Sequence, residues 1–154
     1  MNAMAPTRPA ELRERRLRLT KSPAAAARAR SKVRAAIHAW NVPVDEDVAV
    51  LLTSELVTNA IRHEASKTVT LAISCRCDQL RVEVHDTSRF MPVLMNAPAD
   101  AEAGRGLMLA GALADGWGAY RTVVGKAVYF TLAFEPDPAG DGRRGPVGGA
   151  RLRP

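Results

Sequence analysis

Polar and apolar residues alternate in several short stretches of this chain and recur with helical spacing in two longer ones. Arg16-Leu17-Arg18-Leu19-Thr20 alternates charge with apolar side chains, the pattern of a half-buried edge strand. Ser22-Pro23 then predicts a helix start, with Ser22 as the cap and Pro23 at the first helical position. Ala26, Ala29, Val33, Ile37 and Trp40 fall on one stripe of the helix that follows. Asn41-Val42-Pro43 breaks it. Asp45, Glu46 and Asp47 put negative charge where the positive dipole end of a second helix lies, and that helix is expected to reach about His63. Val69, Leu71, Ile73, Cys75 and Cys77 alternate with polar partners as a strand does. Leu80, Val82 and Val84 repeat the pattern after Asp78-Gln79, and Val128, Phe130, Leu132 and Phe134 repeat it again, preceded by a further strand near Ala119–Val124. Residues 87–106, with Pro92, Pro98, Gly104 and Gly106, have no strong period. Leu107 to Ala114 then reads as a short apolar helix closed by Asp115-Gly116.

The order strand, helix, helix, strand, strand, loop, helix, strand, strand implies an α+β fold. It is a two-layer sandwich, one mixed and mostly antiparallel sheet with helices on one face. A length of 154 residues, 47% of them apolar, suits one domain with a core and is short for two. Residues 1–14 and 136–154 lack a hydrophobic period and are expected to be disordered tails around a single domain at 15–135. No apolar run approaches the roughly 20 residues of a membrane span, and the N-terminus lacks the apolar centre of a secretory signal, so a cytoplasmic location is expected. Cys75 and Cys77, two apart in a predicted strand, are read as reduced core thiols.

Charge changes the picture when it is divided along the chain. Residues 1–36 carry ten Lys/Arg against two Asp/Glu, residues 37–135 carry eight against twelve, and residues 136–154 carry four against two. The expected core is therefore acidic, and the net +6 comes from its flanks. A nucleic-acid interface usually gathers basic residues on one face with aromatics for stacking, and this distribution does not, so no direct nucleic-acid partner is expected.

Three features exceed what a plain scaffold needs. On a helical wheel, Glu55 and Asn59 share an arc with Val48, Leu52 and Leu56, which puts a carboxylate and a carboxamide in the middle of the expected buried stripe. An ionised carboxylate there needs a buried cation, a metal or a cavity, or the pair lies at the stripe's exposed end. Asp86 closes a strand in phase with Leu80, Val82 and Val84 and should face the core layer, either capping a turn with Thr87-Ser88 or accepting a hydrogen bond from a ligand's amino group. Gly104-Arg105-Gly106, just before the short helix, is either a mobile glycine loop or a phosphate cradle at a helix N-terminus, and the long loop before it has the length of a ligand lid.

Taken in this order, these residues resemble the nucleotide-binding GHKL family, with the Bergerat ATP-binding fold, shared by gyrase, the Hsp90 chaperones, histidine kinases and mismatch-repair proteins. The likeness is greatest to bacterial anti-sigma-factor serine/threonine kinases and covers about residues 15–135. Glu55-Leu56-Val57-Thr58-Asn59-Ala60-Ile61-Arg62-His63 resembles the first motif of the family, Val84-His85-Asp86 the second and Gly104-Arg105-Gly106-Leu107 the third. Ala114-Asp115-Gly116-Trp117-Gly118 with Gly125-Lys126-Ala127-Val128-Tyr129-Phe130 resembles the closing segment of the anti-sigma branch. The resemblance implies ATP and Mg²⁺ as cofactors. Glu55 is then the general base, Asn59 the magnesium ligand and Asp86 the acceptor from the adenine amino group, with Gly104, Arg105, Gly106 and Leu107 around the phosphates. Lys126 stands beside adenine where a Thr often follows the glycine, and Asp86-Thr87-Ser88-Arg89-Phe90 stands where the broader family has Asp-x-Gly-x-Gly.

The implied function is an ATP-dependent regulatory kinase that binds a sigma factor, phosphorylates a serine or threonine of an antagonist protein and can pair with a second copy of itself. The alternative is a non-catalytic nucleotide-binding module that sequesters a protein partner. A histidine-kinase catalytic domain fits less well, because the roughly forty residues that could serve before Glu55 leave no room for paired helices carrying a phospho-accepting histidine, and His38 reads as a helix-surface residue.

Overall fold

A computed structural model describes residues 12–63, 67–88 and 111–136. The elements run β1 (Arg13–Thr20), α1 (Ala25–Trp40), α2 (Glu46–His63), β2 (Thr68–Arg76), β3 (Gln79–Asp86), β4 (Gly116–Arg121) and β5 (Lys126–Ala133). The strands form one five-stranded sheet in the order β1-β2-β3-β5-β4, and each neighbouring pair is antiparallel.

Strand alternation sorts the sheet into two faces. Across one row Leu17, Leu71, Val84 and Val128 are register partners, and across another Ile73, Val82, Phe130 and Trp117. These residues share a core with Val33, Ile37, Leu52 and Leu56 from the helices, so α1 and α2 cover this face. Burying a side chain such as Phe130, which is fully enclosed, contributes about 1.5–3 kcal/mol. The intervening row, Arg16, Ala72, Glu83, Tyr129 and Gly118, belongs to the opposite face. The α+β two-layer architecture is therefore as the hydrophobic pattern implies.

Element ends are decided by local chemistry. Ser22 does not cap α1: the helix begins two residues later, with Ala24 at the cap position and no side-chain cap bond. Residues 21–24 form a turn instead, in which the Ser22 carbonyl accepts from the Ala25 N–H at 3.1 Å, while the Lys21 N–H donates to the Lys67 carbonyl at 2.8 Å. At the other end Asn41 adopts the left-handed conformation, φ 52° and ψ 49°, and Val42 donates back to the Ile37 carbonyl at 3.0 Å, which stops the helix. Asp45 caps α2, accepting from the Val48 N–H at 3.1 Å.

Two expectations are corrected in the strands. Cys75 is buried but Cys77 is exposed, because β2 ends at Arg76 and Cys77 lies in the turn to β3, where alternation no longer applies. The fourth strand occupies Gly116–Arg121 rather than 119–124. Val123 and Val124 lie exposed in a tight turn closed by the Thr122 N–H donating to the Gly125 carbonyl at 2.9 Å. Residues 111–113 are helical and Ala114 is not, and Arg13 and Glu14 of the expected N-terminal tail belong to β1; residues 107–110 of the expected helix, most of the loop at 87–106, and residues 1–11 and 137–154 of the expected tails lie outside the described residues. His38 is exposed and pairs with Glu46 of α2. No helix among the described residues is long and apolar enough to cross a membrane.

Candidate nucleotide site

The first group of candidate residues stands on α2. Its buried arc is made by Ala49, Leu52, Thr53, Leu56, Val57 and Ala60. Thr53 can join this apolar set because its hydroxyl donates to the Ala49 carbonyl at 2.7 Å, which satisfies it inside the helix. The arc is thereby rotated away from Glu55 and Asn59. Both are half-buried on its flank rather than in its middle, which corrects the expectation drawn from the wheel. Glu55 makes no hydrogen bond or ion pair among the described residues, and the Asn59 Nδ2 is buried with no hydrogen-bond partner. The neighbouring Ser54, by contrast, accepts from Arg30 of α1 at 2.7 Å. Of these three polar side chains, Glu55 and Asn59, the two without a side-chain partner among the described residues, are one helical turn apart.

The second group stands at the paired ends of β3 and β5. Asp86 and Lys126 are register partners, and both are buried, at 4% and 5% exposure. The Lys126 ammonium donates to Asp86 Oδ1 at 3.1 Å and lies 3.0 Å from Oδ2 as an ion pair. The Ser88 N–H donates to Oδ1 at 2.9 Å, so the turn-capping role foreseen for Asp86 is also present. Gly125 makes this approach possible. A Cβ there would lie 2.1 Å from the Asp86 carbonyl oxygen and 2.5 Å from the Thr87 Cα, so only a residue without a side chain lets the two strand ends close. Sequence reasoning singled out Lys126 but neither its partner nor the need for Gly125. The available signal was a glycine immediately before a strand whose first residue is charged.

α2 packs against both β3 and β5, so the layer that carries Glu55 and Asn59 rests on the strands that end in Asp86 and Lys126. Gly104, Arg105, Gly106 and Leu107 lie outside the described residues. An open groove lined by Lys21, Ser22, Pro23, Ala26, Thr58, Ile61 and Arg62 includes none of the four site residues described above.

The sequence pattern of the family described as histidine kinase-like ATPase domain matches residues 19–132, from the end of β1 into β5. The chain belongs to that family. The matched span of this ATPase domain includes Glu55, Asn59, Asp86, Lys126 and the segment 104–107. Among solved structures, the crystal structure of the RsbU and RsbW domains of Rv1364c from Mycobacterium tuberculosis has a similar fold. Its TM-score is 0.55 at 19% identity, over 80% of this chain and 32% of that one. The ATPase domain thus spans about a third of the length of that structure. No curated protein matches the chain.

The residues present fit a magnesium nucleotide. Asn59 has a buried amide end without a partner, and a half-turn of the amide about its own axis puts an oxygen there, the neutral donor that a hard cation takes. Among the described residues no three His, Cys, Asp or Glu side chains gather as ligands. One protein oxygen suits Mg²⁺, which keeps most of its shell as water and phosphate oxygens.

Proposed function

We propose that this ATPase domain is an ATP-binding regulatory protein of the anti-sigma-factor type, which binds a sigma factor in the cytoplasm and phosphorylates a serine or threonine of an antagonist protein. The observation that carries the reading is the pair Glu55 and Asn59. Among the described residues, an acid without a side-chain partner and an amide with a buried, unsatisfied end stand one turn apart in the residue pattern of the family, on the helix that packs over β3 and β5. The buried amide end of Asn59 costs stability unless a ligand uses it. Mg²⁺-ATP supplies the phosphoryl group and neutralises its charge when bound. Glu55 takes or orients the proton of the attacking hydroxyl, Asn59 offers its amide oxygen to the metal, and Asp86 accepts from the adenine amino group. In this reading Gly104, Arg105, Gly106 and Leu107 are the phosphate-binding residues, Lys126 belongs beside the base, and residues 15–135 are the ATP-binding domain.

A second reading, a nucleotide-binding module that sequesters its partner without phosphoryl transfer, is favoured by one observation: the Asp86 carboxylate is already engaged by Lys126. Incubation with labelled Mg²⁺-ATP and a panel of candidate antagonists separates the two. Label on a seryl or threonyl side chain is expected for the kinase, and retained nucleotide with no transfer supports the module. Glu55→Ala is expected to lower transfer by at least about a hundredfold, as loss of a general base does, with ATP affinity nearly unchanged. Equal transfer by variant and wild type removes Glu55 from the chemistry.

A further inference from the structure

We infer that the outer edge of β4 is a self-association surface, on which a second copy of this chain lays its own β4 antiparallel about a two-fold axis at Gly118, so that the sheet continues from one copy into the other. β4 stands at the end of the strand order and is bonded to β5 on one side only. The Thr122 N–H donates to the Gly125 carbonyl, and bonding alternates from residue to residue along an antiparallel ladder. Gly118 and Tyr120 therefore turn their N–H and C=O groups to Tyr129 and Ala127 of β5, while Trp117 and Ala119 turn theirs outward. Among the described residues no strand lies on that side. The two edges of the sheet differ in how they meet solvent. β1 carries four arginines, which guard it, whereas Gly116–Arg121 carries a single charge, at its end. Of the six large apolar side chains left exposed among the described residues, Leu113, Tyr120, Val123 and Val124 sit on β4 or within three residues of its ends, and Val123 is 97% exposed. Apolar exposure gathered in this way marks a contact surface.

The residues of the edge select a second copy as its occupant. With Gly118 opposite Gly118 of the other copy, Trp117 falls opposite Ala119, Tyr120 opposite Gly116, and Asp115 at one end opposite Arg121 at the other. Each bulky side chain thus meets a small residue on the same face of the extended sheet, and each terminal charge meets its opposite. Asp115 is fixed at its end of the strand by the Ala133 N–H, which donates to its Oδ2 at 2.7 Å. The main chain agrees with this register, because Trp117 and Ala119, which both turn outward, become the residues that exchange hydrogen bonds across the seam. The Val123-Val124 turn of each copy then lies at the end of the seam where Leu113 of the other stands. An axis normal to the sheet keeps the helices of both copies on one face. A single seam between short strands is a small interface, so the dimer is expected to be weak and to depend on concentration.

The test uses the full chain without nucleotide, so its outcome is separate from the ATP-binding reading. Sedimentation equilibrium from about 1 µM to 1 mM is expected to show the mass rising towards that of two chains. Amide exchange followed residue by residue by NMR is expected to slow at Trp117 and Ala119 as concentration rises, while Gly118 and Tyr120, bonded to β5, stay protected throughout. Ala119→Pro removes an outward N–H that β5 does not use, in an edge strand that tolerates proline, and is expected to raise the dissociation constant at least about tenfold. The mass of one chain at every concentration overturns the inference. A dimer in which exchange at Trp117 and Ala119 does not respond to concentration overturns it too, because the copies then meet elsewhere. Constant protection of those two amides in a single chain also overturns it, because another segment then covers the edge, and so does a dimer that Ala119→Pro leaves undiminished. If the variant fails to fold, as judged by circular dichroism, the wild-type mass and exchange decide alone.

Discussion

On the face of the sheet away from the helices, Glu83 of β3 is the centre of a polar cluster. His85 and Arg81 reach it from its own strand and Tyr120 reaches it from β4. The Arg81 guanidinium stacks 3.8 Å from the centre of the Tyr129 ring, and His85 meets Tyr120 edge to face. The hydrogen bond from His85, then those from Tyr120 and Arg81, hold the Glu83 carboxyl down at about 2, although burial pushes it upward. The charged form is thus favoured by folding. Its stabilisation is complete above about pH 4.5, the ordinary value, and is lost as pH falls towards about 2. Urea midpoints measured from pH 6 down to pH 2 should fall more steeply for the wild type than for Glu83→Gln. Parallel curves would mean that Glu83 gains nothing from its neighbours. Burial first, and Glu83 second, also push the Tyr120 hydroxyl upward, which keeps it a donor to Glu83.

At the scale of elements, the junction of β3 and β5 is held by backbone proximity, and its response to substitution separates two kinds of glycine. At Gly125 a methyl group would strike the backbone of Asp86 and Thr87, which cannot move without parting the strands. At Gly118 it would meet the Tyr129 hydroxyl at 2.7 Å, the end of a side chain that can swing aside. Urea unfolding should therefore show Gly125→Ala losing about 1–3 kcal/mol or more, and Gly118→Ala losing less. The reverse order would contradict this account. The same contrast explains what the amino-acid pattern could and could not convey. Local periodicity located both long helices and all five strands, since Leu80, Val82 and Val84, or Ala29, Val33 and Ile37, declare their period within a few residues. It misplaced the buried arc of α2 because a threonine bonded to its own helix, Thr53, behaves as an apolar residue. It placed Cys77 and the pair Val123 and Val124 inside strands because alternation cannot reveal where a turn cuts it off. The Asp86–Lys126 pair was beyond local reasoning altogether, because it depends on β5 lying between β3 and β4.

At the scale of the molecule, that strand order leaves β1 and β4 as the sheet's edges among the described residues. β1 carries Arg13, Arg15, Arg16 and Arg18 along its length, and Arg15 also stacks over the Trp40 ring at 5.2 Å. Charges spaced in this way along an edge discourage the addition of a strand from another chain. Arg16→Thr with Arg18→Thr should therefore give larger species in light scattering as concentration rises, more so than the wild type. An unchanged mass across the concentration range would show that the arginines do not guard this edge. The two-layer architecture was legible because its hydrophobic rows repeat on every strand. The candidate site was legible only in part: Glu55, Asn59 and Asp86 stood out as polar residues in apolar company, whereas the role of Lys126 depends on a contact made across forty residues of chain. The ion pair it forms has a consequence for solution conditions. Surface charges lose their mutual influence as salt is added, because mobile ions gather round them, but this pair is closed off from those ions. Its strength should stay nearly constant across salinities that dissolve the contacts between Arg16 and Glu14 at the rim, so the strand ends that carry it remain joined where the periphery loosens.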